Sequence, residues 1–256
     1  MLITMIFLHN GATGDIVYSL PSAIAMGGGH YQVKKPGQFR LLKRLLEAQP
    51  YLTQVSHYNK LTGYAQFGDQ PFFDFDRYRE HPRVKRFYDH PEEAINIAKA
   101  HLETANVHFD LAQQWLFNIE PKTEADIVIH KTEKYRNFEG KNYIPTIDWT
   151  LLEAYADRCV FVGYEKEQKI FNRWYTDRKF EVPWYGCQDI YEMAQIIAGS
   201  KMFIGNQSIG FAAAEGMKHP RVQETCLRIP NCLPHGKDGH TELSIELIEK
   251  YLNRTA

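Results

Sequence analysis

The sequence predicts an α/β protein made of two halves in tandem, each a parallel sheet with crossover helices. Three observations carry that expectation. Short apolar runs alternate with stretches of helical spacing from the first residues onward, an order that needs crossovers and hence parallel strands. Two of the apolar runs, at 3–8 and 202–204, lead into a polar loop of small residues and then a helix. Between them, Glu120-Pro121-Lys122-Thr123-Glu124 is polar and broken by proline, and a fresh apolar strand restarts after it. A boundary near residue 120 follows, with halves at 1–120 and 121–256.

In the first half, the run 3–8 reads as a buried strand ending in the turn formers His9-Asn10-Gly11-Ala12-Thr13-Gly14-Asp15. Ile16, Val17, Leu20, Ala23 and Ile24 then mark a helix over 15–26, with Pro21 demanding a kink or an irregular first turn. Gly27 to Gly29 close it. A strand at 30–33, a helix at 39–48 carrying Leu41, Leu42, Leu45 and Leu46, and a strand at 53–58 come next. Residues 62–90 are irregular and aromatic-rich, and 92–103 reads as a helix from Ile95, Ile97, Ala98 and Leu102.

The second half predicts strands at 125–130, 159–163, 202–204 and 221–223. Helices are expected at 148–156, 165–174, 189–198, 208–217 and 241–252. There is no internal repeat, low-complexity tract or charge block.

Composition excludes several classes. With 30 basic and 31 acidic residues among 256, the formal charge is −1, which gives no broad attraction to nucleic acid or an anionic membrane. Fifteen Phe, fifteen Tyr and four Trp supply apolar area that disordered chains lack. Cysteines 159, 187, 226 and 232 read as incidental thiols of a reducing compartment. The run 3–8 is too short and lacks the basic flank of a signal peptide, and no apolar run reaches the ~18 residues of a membrane span. The expectation is a soluble, cytoplasmic protein.

The first loop carries the first candidate site. A turn containing glycine between strand and helix offers backbone N–H groups and the positive helix end to an anion. Gly11 and Gly14 fit the opening of a dinucleotide fingerprint, but Val17 takes the third glycine position and Lys34-Lys35, not an acid, follow the second strand. That pattern disfavours a nicotinamide-dependent oxidoreductase. Asp15, at the start of the helix, is either a cap or a base able to accept a proton from a substrate hydroxyl.

Two further segments could hold a phosphorylated ligand. Phe203-Ile204-Gly205-Asn206-Gln207-Ser208 runs into Ile209-Gly210-Phe211-Ala212-Ala213-Ala214-Glu215-Gly216, again strand, small loop and small-residue helix. Free N–H groups near Ser208 to Gly210 suit a diphosphate, and Glu215 either reaches ribose hydroxyls or sits on a solvated face. His130-Lys131-Thr132-Glu133-Lys134-Tyr135-Arg136-Asn137 is dense in groups that pair with phosphate, or is a solvated basic loop.

Two patterns imitate metal sites. Asp74-Phe75-Asp76 has spaced carboxylates that suit a hard cation, but lies late in an irregular segment and reads rather as a strand-end pair of aspartates. Cys226, Cys232, His235 and His240 are zinc-capable residues without paired C-x-x-C spacing, beside Pro230 and Pro234. No metal ligand is assigned.

Taken together, two motifs resemble a known family. Gly14-Asp15-Ile16-Val17-Tyr18-Ser19-Leu20-Pro21 is similar to the N-terminal signature of heptosyltransferases, glycosyltransferase family 9. The stretch from Phe203 to Gly216 is similar to that family's donor-site signature, in the expected order. The resemblance implies a compact GT-B fold, two Rossmann-like domains facing across a cleft. The first would bind the acceptor through its loop at His9, Asn10, Gly11 and Gly14, and the second the nucleotide-sugar donor. Asp15 matches the catalytic aspartate. Gly205, Asn206, Gln207, Ser208 and Gly210 match the donor-diphosphate loop, and Thr132, Lys134 and Arg136 fall where the family places a threonine and basic residues. Gln207 replaces the usual aspartate and the Gly-Pro-x-His portion is shortened, so the donor sugar is left open.

The implied activity is transfer of a sugar from a nucleotide-diphosphate sugar to a glycan or other hydroxyl, inverting, with no metal or other cofactor. Two alternatives stay open: a non-catalytic nucleotide- or sugar-binding protein, and a transferase acting on modified DNA bases, which the near-neutral charge disfavours. The short chain leaves room for an open cleft or a small acceptor.

Overall fold

The computed structural model describes residues 4–59, 63–86, 90–134, 138–139 and 142–254. Its first half contains β1 (Met5–His9), α1 (Thr13–Ala25), β2 (Gly29–Val33), α2 (Pro36–Glu47), β3 (Leu52–His57), β4 (Phe72–Asp74), the short α3 (Pro82–Lys85) and α4 (Ile97–Ala105). These strands form a four-stranded sheet in the order β3-β2-β1-β4, parallel throughout. Its second half contains β5 (Ile127–His130), the hairpin β6 (Phe138–Glu139) and β7 (Asn142–Tyr143), β8 (Cys159–Val162), α5 (Glu165–Trp174), β9 (Trp184–Tyr185), α6 (Ile190–Ala198), β10 (Met202–Asn206), α7 (Ile209–Met217), β11 (Arg221–Glu224), β12 (Gly239–His240) and α8 (Ile245–Leu252). Here the sheet is six-stranded, β12-β11-β10-β5-β8-β9, again parallel.

Side-chain alternation explains how the second sheet is covered on both faces. In β5, Val128 points into the core shared with the first half, while Ile127 and Ile129 join Phe161, Phe171 and Ile248 on the other face. Phe203 of β10 is divided from Met202 and Ile204 in the same way.

The shared core sets the geometry of the molecule. Phe7, Val17 and Leu20 belong to the same buried cluster as Val128, Met193 and Phe211, so α1 lies against α7 and α2 against α6. A polar tie reinforces the contact, with Arg44 Nη1 donating to Asp189 at 3.0 Å. Within the first half, Gln49 exchanges hydrogen bonds with the Phe117 backbone at 2.8 and 3.2 Å.

Several elements differ from expectation for local reasons. Residues 149–158 form a 3-10 segment, Trp149–Arg158, in which Tyr155 leaves helical angles at φ −125°. In the expected helix over 92–103, a short 3-10 turn at Pro91–Glu93 comes first and Asn96 then caps α4, accepting the Ala98 N–H at 2.9 Å. The irregular aromatic segment hides β4, whose three residues pair with β1. Pro21 lies inside α1, which runs as one helix. Among the described residues, no helix is long and apolar enough to cross a membrane.

Candidate functional site

Parallel sheets gather the carboxyl ends of their strands and the N-termini of the following helices along one edge. Here a cavity of about 460 Å³ lies between the halves, lined by the first turns of α1, α5, α6 and α7 and by the loop after β5. Each helix start presents unpaired N–H groups and partial positive charge.

Most of those helix ends are already compensated. Asp15 Oδ2 accepts the Ala12 N–H at 3.3 Å, Glu167 accepts the Tyr164 N–H at 3.3 Å, and Asp189 accepts the Glu192 N–H at 2.9 Å. By contrast α7 has no acidic residue in its first turn and is capped by the neutral Ser208, whose Oγ accepts the Phe211 N–H at 3.4 Å. The α7 N-terminus is thus the end best able to receive an anion. Lys134 is the one lysine or arginine among the described lining residues.

The sequence-predicted residues divide sharply. Gly14, Asp15, Thr132, Lys134, Gln207 and Ser208 line the cavity. Asp15 sits at the third position of α1 rather than at its cap, which is Ala12, and its Oδ2 also accepts the Tyr78 hydroxyl at 3.0 Å. Gln207 turns its amide inward: Nε2 donates to the Ile229 carbonyl at 2.7 Å and to Asn231 Oδ1 at 2.8 Å, and Oε1 accepts the Cys226 N–H at 2.7 Å.

Asn206, Gly205, Gly210 and Glu215 lie behind the cavity wall, not among the lining residues. Asn206 is buried and holds the loop after β5, donating to the Thr132 and Lys134 carbonyls at 3.1 and 2.8 Å. Glu215 is not on a solvated face. Fully buried, it pairs with Arg221 and, at 2.5 Å, with Lys218, and accepts the His235 N–H at 3.1 Å. His9 is likewise buried, with Gly11 N–H donating to its Nδ1 at 2.8 Å, while Asn10 N–H donates to Asp76 at 2.8 Å. Arg136 lies outside the described residues.

The two metal-like patterns resolve differently in the fold. Lys34 Nζ lies 2.6 Å from Asp74 and 3.1 Å from Asp76, so this chain's own ammonium neutralises the pair. Burial works against the Asp76 charge, but His9, the Asn10 N–H and Lys34 outweigh it and hold the carboxyl well below the usual range. Cys226, Cys232, His235 and His240 do not converge; among the described residues the one cluster with metal-ligand spacing is the exposed His90, Glu92 and Glu93.

Other lining residues escaped sequence reading. His130, at the end of β5, contacts Ser208 Oγ through Nδ1 at 2.8 Å, and burial pushes its pKa down to about 4, so the ring is neutral near pH 7. Its ring occupies space that glycine leaves: a Cβ on Gly210 would stand 2.7 Å from Nδ1, and one on Gly163, at φ +122°, 2.7 Å from Cδ2. Glu165 and Glu167 line the wall opened by α5, where burial pushes the Glu167 carboxyl up. Beside them Trp184 donates Nε1–H to the Gly163 carbonyl at 2.9 Å and is 43% exposed, and Tyr164 is 66% exposed. The signal for this wall was the strand, glycine and helix succession at Val162-Gly163-Tyr164-Glu165, the same pattern as at the other two loops.

No protein-family model and no curated protein sequence matches the chain. Solved structures do. A glycosyltransferase family 9 protein from Veillonella parvula aligns over 100% of this chain and 91% of its own, with TM-score 0.59 and 11% identity. The E. coli heptosyltransferase WaaC, solved with ADP, aligns over 94% and 93% with TM-score 0.57 and 11% identity. E. coli ADP-heptose lipopolysaccharide heptosyltransferase II aligns over 98% and 97% with TM-score 0.57 and 12% identity. At such identity the likeness is one of architecture, and it covers both halves: the chain has a compact GT-B fold, two α/β domains facing each other.

Proposed function

We propose that this protein is a glycosyltransferase that moves a sugar from a nucleotide-diphosphate donor to an acceptor hydroxyl, with inversion and without a metal. The observation that carries the reading is one cavity shared by the Asp15 carboxylate of the first half and the uncompensated α7 N-terminus of the second. In it, 1–120 serves as the acceptor domain and 121–256 as the donor domain.

Asp15 takes the acceptor's proton as the hydroxyl oxygen attacks the anomeric carbon. The bond from that carbon to the diphosphate oxygen breaks through an oxocarbenium-like state, and the electron pair leaves with the nucleoside diphosphate. Single displacement inverts the anomeric centre. Backbone N–H groups at the start of α7, the Ser208 hydroxyl, Thr132 and Lys134 stabilise the leaving charge, joined by Arg136 on sequence grounds. Glu165 and Glu167 are placed to accept from ribose hydroxyls, and Tyr164 and Trp184 offer aromatic faces to the base. The similar E. coli WaaC structures were solved with ADP and with an ADP-heptose analogue, which makes ADP the first nucleotide to try.

Thermal shifts with ADP, UDP, GDP, dTDP and CDP test the donor site, because selective binding raises apparent stability. One nucleotide should stabilise the protein; a flat panel would overturn the donor assignment. With that nucleotide's sugars as donors, Asp15→Asn should keep binding and lose turnover about 10²- to 10⁴-fold. Unchanged turnover in EDTA is expected, and its loss would refute the metal-free reading.

A further inference from the structure

The tether on Asp15 comes from a segment that no motif marks. Phe75–Glu80 is a 3-10 turn following β4, started by the Asp74 side chain, which accepts the Asp76 N–H at 3.1 Å. It is pinned on two sides. Asp76 accepts from Lys34 and from the Asn10 N–H, while Phe75 is fully buried with its ring stacked 5.5 Å from Phe7. This fixes Tyr78, which is 6% exposed and has its ring 4.1 Å from that of His101 on α4.

Tyr78 Oη donates to Asp15 Oδ2 at 3.0 Å, and the Ala12 N–H approaches the same oxygen at 3.3 Å. Two donors on one carboxylate oxygen set both the tilt and the rotation of the group. Among the described residues no hydrogen bond reaches Oδ1. We infer that Tyr78 is a positioning residue for the acceptor-activating base: it anchors Oδ2 so that Oδ1 is the oxygen presented to the acceptor hydroxyl. This rests on the reading of Asp15 as that base. The phenol can serve as a standing donor because burial, and then the Asp15 charge, push its pKa well above the ordinary range. A partly buried first-turn carboxylate without such a donor keeps only the longer Ala12 hydrogen bond, and misplacing a reacting oxygen by an ångström costs rate steeply.

High-resolution crystal structures of the full-length wild type and Tyr78→Phe test the tether directly. The variant keeps the ring against His101, so folding and melting temperature should be retained. Asp15 is expected in one conformer in the wild type and in a rotated or split conformation in Tyr78→Phe; an unmoved carboxylate overturns the inference. ADP release from ADP-heptose supplies the kinetic arm, with Tyr78→Phe lowering kcat about 10-fold while KM stays within about twofold. If Asp15→Asn abolishes release but Tyr78→Phe leaves kcat unchanged, the positioning role fails while the base stands. If Asp15→Asn releases ADP at the wild-type rate, the base reading itself fails and the positioning role goes with it.

Discussion

Asn206 and Thr132 bind each other in both directions: Asn206 Oδ1 accepts the Thr132 N–H at 3.0 Å, and its Nδ2 donates to the Thr132 carbonyl at 3.1 Å. A third bond to the Lys134 carbonyl at 2.8 Å extends the clasp. Strand β10 therefore shapes the loop after β5, and Asn206 touches the cavity only through the groups it holds.

Asn206→Ala removes the clasp and leaves part-buried backbone groups of the loop without their partner, at up to about 1–3 kcal/mol in total. A clearly lower melting temperature and weaker nucleotide binding are expected, the second because Lys134 and Thr132 lose their placement. Calorimetric titration with whichever nucleotide of the thermal-shift panel stabilises the wild type reads the binding; full affinity in the folded variant would show that the loop holds its shape without Asn206.

Glu215→Ala separates a structural role from a ligand role. Truncation strands Arg221, whose side chain is 1% exposed, and removes a partner of Lys218, so a loss of about 3–5 kcal/mol is expected in denaturant unfolding. Nucleotide affinity measured well below the transition should be unchanged. A selective loss of affinity at normal stability would return Glu215 to the ribose.

Gly210→Ala should crowd His130, at a cost of about 1–3 kcal/mol. Adding His130→Ala should relieve that crowding, giving a non-additive double-mutant cycle in urea unfolding. Strict additivity would mean that the helix shifts to absorb the methyl group.

Acid should destabilise the fold through the imidazoles of the buried His130 and the partly buried His219. Burial lowers the pKa of His130 to about 4, and burial together with Arg221 lowers that of His219 to about 4, against an ordinary 6.5. Between pH 6.5 and 4 the unfolded chain binds these protons and the folded chain does not, so their contribution is complete above 6.5 and is lost as pH falls toward 4. Each group accounts for up to about 3 kcal/mol. Melting temperatures from pH 7 to pH 4.5 should fall less steeply in His219→Gln than in the wild type; equal slopes would mean that His219 is already charged in the native protein.

How far the sequence could be read depended on the range of the interactions involved. The helix over 165–174 was legible because its apolar spacing is local, and the same holds for the glycine-bearing loops after β1 and β10. Tyr78 was not, since its contact with Asp15 spans 63 positions and falls in a segment without regular period. The burial of Glu215 was not legible because Arg221 returns to it from the next strand, and helix spacing carries no record of that pairing. The helical pattern over 148–156 was real, but Tyr155 and the tighter 3-10 winding altered its form.

The buried contact between α1 and α7 has a consequence for taking the molecule apart. Severed in the 117–121 stretch, the two pieces would each carry half of one apolar core, Leu20 and Val17 on one and Phe211 and Met193 on the other. Neither fragment should persist alone in solution, whereas the pair, produced together, should find each other and reconstitute the cavity without a covalent link.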